Sequence, residues 1–384
     1  MLNSNKSISG YVFLLAYFLW VFFIHILGGQ YFTLFDTNLL LKSFNACVMF
    51  LLLVYVVIGY SFNKASFLDL LITIVFFIGY MHFKKGVLIY LFIMLCRNIP
   101  FSKVIKTFLL ATFAGMLFIF FTYLFNLYPE SYLNLFREDG TYRYLLGYRF
   151  PTFLPNYYFH LVLCWFFVRK EKVTFLELLV ILLLNYPIYV FTDTKASFGL
   201  VILSCIAMLF VKYLKINYST LMFGKLYKLF TKYSFIIFAA IAIYFQYTYN
   251  PELEWMGKLN TMFSGRLALG HWGFELYGIQ PFGSFVEFTT MLEATETNKF
   301  FYIDSAYVQL LLVYGAIIFA LVCIGYTRIG IRVVKYNDKY FGLVLILLFA
   351  HSITDPQLLS PEFNPFLLCL GYYGLNKYRE NIFR

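Results

Sequence analysis

The chain reads as long apolar stretches cut by short polar ones. About 20 mostly apolar residues cross the hydrocarbon core of a bilayer. Continuous runs of this kind predict spanning helices, not the short alternating strands of an outer-membrane barrel. Twelve spans are expected, at roughly 8–28, 38–60, 67–82, 86–96, 107–128, 156–168, 174–191, 197–213, 234–249, 305–326, 341–354 and 363–376. The fourth and the last are short enough to be tilted, broken or partly re-entrant. The polar N-terminal MLNSNKSIS leads into a first run with no small-x-small cleavage site behind it, so that run is expected to remain as a span. No repeat is evident along the chain, which leaves an inverted-repeat transporter without support. Residues 1–384 are therefore expected to form a single all-α, polytopic membrane domain with about 12 transmembrane helices.

Composition agrees with that pattern. Of the 384 residues, 61% are hydrophobic, 23% aromatic and only 13% charged, about half the charged share of a soluble domain. Mean hydropathy is +0.75. A soluble enzyme, a disordered chain and a disulfide-rich secreted module are excluded. The six cysteines have no metal-ligand spacing and read as small buried hydrophobes.

The net charge of +11 sharpens the topology. With both termini cytoplasmic, 20 of the 30 Lys and Arg but 5 of the 19 acids fall inside, a balance of +15 against −4 outside. This is the positive-inside asymmetry of a multi-span protein. No basic face forms, so nucleic acid is not expected as a partner. Lys84-Lys85 runs against the rule, because this topology leaves it outside.

Two outside segments are too long to be turns, 128–156 and 250–304. Loops of that size in compact proteins usually carry function. The second contains GRLALGHWGFELYG, which reads as a short helix ended by Gly278 and Pro281. On it Arg266, Gly270, Gly273 and Tyr277 share one face, and His271 and Glu275 another. The two glycines permit close approach of a bulky ligand or, equally, of another helix.

Among the outside cations are Arg137, Arg143, Arg149, Lys195, Lys258, Arg266 and Lys299. Arginine presents a planar fork that matches phosphate oxygens, so an outward-facing diphosphate lipid would suit them. Arg137 and Lys299, in polar surroundings, read as solvated charges, whereas Arg149 and Arg266 border apolar, Gly/Pro-rich turns. In FTDTKASFG, Asp193 and Lys195 separate two spans with almost no loop and must face a cavity, an interface or each other. Asp304 opens a span and reads first as a helix cap. Asp355-Pro356 and Glu362 read as turn residues. As a general base, Asp304, Glu275 and His271 are all admissible. No HExxH, paired Cys/His or Gly-rich phosphate loop occurs, so neither a metal nor a nucleotide cofactor is expected.

The layout, together with RFPTFLPNYYFHLVL, FTDTKASFGL and FSGRLALGHWGFEL…PFG…YIDSAYVQLLLVYGAI, resembles the Wzy-type polysaccharide polymerases and their O-antigen ligase relatives. It departs from them in carrying Lys195 where an arginine is usual and Ser305 where asparagine commonly follows the acid. The resemblance implies a GT-C-like glycosyltransferase architecture in the bacterial cytoplasmic membrane, with its active face external and no cofactor. It implies polyprenyl-diphosphate-linked oligosaccharide as donor and acceptor, and a chain-length regulator and a flippase as further partners. By the same resemblance, Arg143, Arg149, Lys195 and Arg266 would bind diphosphate. Arg266 would be catalytic, with Asp304 or His271 as base, and Trp272, Tyr277 and Glu275 would hold sugar. The alternatives are a glycopolymer ligase and, in another class, a flippase of lipid-linked sugars.

Overall fold

The structure, a computed structural model, describes residues 2–30, 36–59, 67–127, 134–136, 142–213, 218, 221–290, 293–295, 297 and 299–372. Nine helices come first: α1 (Leu2–Leu27), α2 (Thr37–Gly59), α3 (Phe67–Phe83), α4 (Val87–Leu95), α5 (Phe101–Leu124), α6 (Phe153–Arg169), α7 (Phe175–Thr192), α8 (Lys195–Tyr213) and α9 (Leu221–Tyr247). Between α5 and α6, β1 (Asn134–Phe136) pairs antiparallel with β2 (Tyr142–Tyr144), with Leu135 opposite Arg143. Then follow α10 (Glu254–Met262), α11 (Arg266–Tyr277), α12 (Ala306–Val313), α13 (Gly315–Lys335) and α14 (Lys339–His351). Two 3-10 helices, Pro356–Leu359 and Pro365–Tyr372, close the described chain.

The protein is an all-α polytopic membrane protein. Among the described residues seven helices are long and apolar enough to cross a bilayer, namely Ile8–Leu27, α2, α5, α7, α8, Met222–Tyr247 and α13. That is fewer than the twelve expected, because several apolar runs form shorter or broken elements. The run at 305–326 divides into α12 and α13. The run at 363–376 is a buried 3-10 helix as far as Tyr372, and its last residues lie outside the described ones.

The helix ends sort into two sets. At one end, Lys170 pairs with Asp338 (2.9 Å) and Arg169 with Glu177 (2.9 Å). Lys339 Nζ donates there to the Val211 carbonyl (2.9 Å). Thr174 and Glu177 form a capping box that starts α7, satisfying backbone donors left free by the first turn. The other end carries the long loops. There Arg149 N donates to the Gly28 carbonyl (2.8 Å), and Lys85 lies over the Phe288 ring (5.1 Å). Lys84-Lys85 is therefore on the loop end with the 250–304 segment, as the sequence topology requires.

A core of aromatic side chains fills the bundle, with Tyr17, Phe92, Phe101 and Tyr372 all fully buried. Phe50, Val57, Phe67, Phe113, Leu183 and Met222 are exposed around it, as expected of helices whose outer faces meet lipid rather than water. The break between α12 and α13 has a specific cause. Gly315 (φ 90°) and Gly283 (φ 79°) stack backbone on backbone. Ala316 N donates to the Gln280 carbonyl (3.0 Å), and Ser284 N donates to the Leu312 carbonyl (3.1 Å). The loop thus supplies bonds that a continuous helix would have made within itself.

A Cβ on Gly283 would lie 2.0 Å from the Val313 oxygen. Gly283→Ala is therefore expected to lower the stability of the detergent-solubilised protein by more than about 2 kcal/mol. Gly257→Ala in α10, where nothing lies within 4 Å, should be neutral or slightly stabilising in the same thermal melt.

Candidate active site

Helix α14 has 13 residues and rises only about 20 Å, less than the roughly 30 Å core of a bilayer. The chain does not continue across. Residues 352–364 fold back and satisfy their polar groups locally. Asp355 Oδ1 accepts from Gln357 N (2.9 Å), capping the first 3-10 helix. Asn364 Nδ2 donates to the Leu358 carbonyl (2.9 Å). Phe363 stacks on Tyr157 of α6, centroids 4.0 Å apart.

Long-range bonds hold Asp355. Asn156 Nδ2, in the first turn of α6, donates to Asp355 Oδ2 (2.6 Å). Ser197 Oγ of α8 donates to Asn156 Oδ1 (2.6 Å), so the amide is oriented from both sides. His351 Nε2 lies 3.9 Å from Asp355 Oδ2. His160 rests on the same turn, its Nδ1–H donating to the Asn156 carbonyl (2.8 Å).

Above this floor Arg266 Nε lies 3.0 Å from Asp304 Oδ2, both side chains about three-quarters buried. Gly265, at φ 81°, turns the chain from α10 into α11 and places Arg266 at its first residue. Gly270 sits against Gln246 of α9 and Gly273 against Ile303, so both glycines serve close contact within the protein rather than room for a ligand. Asp304 does not cap α12. Ser305 is the N-cap residue and makes no side-chain cap bond, and the Asp304 carboxylate pairs with Arg266 instead.

Burial pushes the Asp304 carboxyl above its ordinary value, against the pull of Arg266. It pushes Asp355 up to about 7, opposed by the Gln357 N–H, by Arg266 and by Asn156. Glu362, half-buried in the same folded-back segment, is also pushed up by desolvation, to about 7. Arg266 therefore faces two carboxyls, Asp304 and Asp355, whose hold on a proton burial strengthens, which suits a group that takes up and releases one. Among the described residues no three His, Cys, Asp or Glu side chains come together as a ligand set.

No family model, curated protein or solved structure matches the chain. The reading of the site rests on its own residues.

The structure brings Arg266 and Asp304 together but directs several other expected residues elsewhere. His271 Nδ1–H points at the Gln246 and Tyr247 carbonyls (3.2 and 3.1 Å), and its Nε2 lies 3.5 Å from exposed Glu275. This pair closes the C-terminus of α9, on a different face of α11 from Arg266. Trp272 meets the Phe301 ring edge-on (4.9 Å) and Tyr277 stacks on it (6.2 Å). Arg143 donates from Nε to the Thr192 carbonyl (2.8 Å) and from Nη2 to Thr194 Oγ1 (3.0 Å), which clamps the α7–α8 turn. Asp193 ends α7 in the left-handed region at φ 45°, and Lys195 opens α8 exposed. Arg149 is half-buried, with its Nε lacking a hydrogen-bond partner among the described residues. Arg137 lies outside the described residues. Asp355, Asn156, Ser197 and His351 were not among the expected site residues. The one signal for them was the Pro-Asn at the start of α6.

Asp355 and Glu362 make a stability prediction whose sign is fixed. A carboxyl raised from 3.8 to about 7 on folding binds more protons in the native state, so its contribution is complete at acid pH and is lost as pH rises through 7. Relative to wild type, Asp355→Asn should therefore gain melting temperature as pH rises from 5 to 7.5, because the variant no longer carries the contribution that Asp355 loses over that range. An unchanged pH slope would remove Asp355 from the titrating set.

Proposed function

We propose that the protein is a glycosyltransferase that polymerises polyprenyl-diphosphate-linked oligosaccharide repeat units on the outer face of a bacterial cytoplasmic membrane. The observation that carries the reading is the Arg266–Asp304 pair (3.0 Å), set over the buried Asp355 at the loop end of a membrane protein. A glycosyl diphosphate already has a good leaving group, so what it needs is a cation for the developing charge and a base for the incoming hydroxyl. Arg266 supplies the first. Half-buried Arg149, with its free Nε, supplies a second cation near the α6 start.

In the proposed step the acceptor sugar hydroxyl attacks the anomeric carbon of the donor. Its proton passes to the Asp304 carboxylate, the bond from the anomeric carbon to the phosphate oxygen breaks, and polyprenyl diphosphate leaves with the electron pair, held by Arg266. Displacement from the opposite face inverts the anomeric centre. Asp355, fixed by Asn156 and near enough to Arg266 and Asp304 to shift their charge balance, orients the pair. The positive-inside reading supports the orientation, because it puts the Lys170, Arg169 and Lys339 end in the cytoplasm.

Cells lacking the protein should accumulate single lipid-linked repeats and make no long polymer. Arg266→Lys and Asp304→Asn, assayed in purified protein on defined lipid-linked repeats, should each lose about 100-fold or more in rate. Normal polymer in the deletion strain would overturn the reading. Full-length polymer left on its lipid, with the final acceptor unmodified, would assign the same chemistry to a ligase instead.

A further inference from the structure

Helices α3, α4 and α13, with Leu359, Leu367 and Leu370 of the two 3-10 helices, enclose an apolar groove of about 270 Å³. Its wall on α13 is a single stripe, Tyr314, Ile318, Leu321, Gly325 and Arg328 among others, at the spacing of one helix face. From Tyr314 to Arg328 the stripe runs about 21 Å, so the groove is long and narrow, suited to an extended hydrocarbon chain. The upper end reaches Gly86 and Leu310. The lower end is marked by Arg328, which is exposed and pairs with no acid among the described residues. Arg97, just beyond α4, is already committed, both of its terminal nitrogens donating to Asp69 (2.7 and 2.8 Å).

The geometry points to a binding site for an anionic glycerophospholipid, one acyl chain lying in the groove and the headgroup phosphate on Arg328. A long apolar slot ending in one unpaired guanidinium asks for a ligand with both parts. Arg328 lies about 10 Å from the end of α13, a depth from which an arginine side chain extends to the headgroup region. Basic sites between spanning helices attract anionic lipid in this way. The site lies toward the end opposite Arg266 and is independent of the glycosyl-transfer reading.

The test titrates purified full-length protein with phosphatidylglycerol and with phosphatidylcholine of the same chains, reading bound lipid by native mass spectrometry. Wild type should bind phosphatidylglycerol at least about fivefold more tightly. Arg328→Gln should abolish that preference, Arg328→Lys should keep most of it, and Val322→Phe should weaken both lipids by filling the groove. Equal binding of the two lipids by wild type, a preference that survives Arg328→Gln, or undiminished binding by Val322→Phe would each overturn the proposal.

Discussion

Backbone polar groups away from water must find partners within the protein, and residues 352–364 put that constraint at the centre of the molecule. Because α14 stops after 13 residues, the chain that follows must satisfy itself by turning back. It does so with short 3-10 helices, the Asp355 cap and the Asn364 bond to the Leu358 carbonyl. An irregular backbone of this kind is tolerated at membrane depth only where it is buried in protein or lines a cavity. Here it is packed into the protein, against α6 through the stacked Phe363 and Tyr157 rings.

The electrostatics of the site follow from that placement. Burial pushes the Asp304, Asp355 and Glu362 carboxyls above their ordinary values, and Arg266 pulls against it at Asp304 and Asp355. The result is a cation with a graded set of proton acceptors around it. The opposite end of the bundle is built differently. There the buried acids Asp69 and Asp338 each have a dedicated cation, Arg97 and Lys170, so charge is consumed in holding helices together.

Arg266 and Asp304 were legible in the sequence because each stands beside a local signal, a glycine turn and a span start. Their pairing was not, since nothing local says that a span-opening aspartate is withdrawn from capping. Asp355 shows the difficulty in one side chain. Its Oδ1 makes the Asp-Pro turn that the sequence suggests, while its Oδ2 binds Asn156, 199 residues away. The local half of the residue was readable and the long-range half was not. The same holds for the 305–326 run, where Gly315 is an ordinary glycine in an apolar run until Gly283 is brought against it.

The residues that the structure moved away from the site also have a physical logic. His271, Gly270 and Gly273 face α9 or the chain before α12, so of the two roles open to the glycines the close contact within the protein is the one found, and it fixes α11 to the bundle. In the proposed reaction, a guanidinium that receives a diphosphate gains from such anchoring, since rate falls steeply when reacting groups are misplaced. Trp272 and Tyr277 add to it by packing on Phe301. What reads from sequence as a ligand-binding helix is, in three dimensions, the rigid mount of one arginine, and Asp304 reaches that arginine from the next element along the chain.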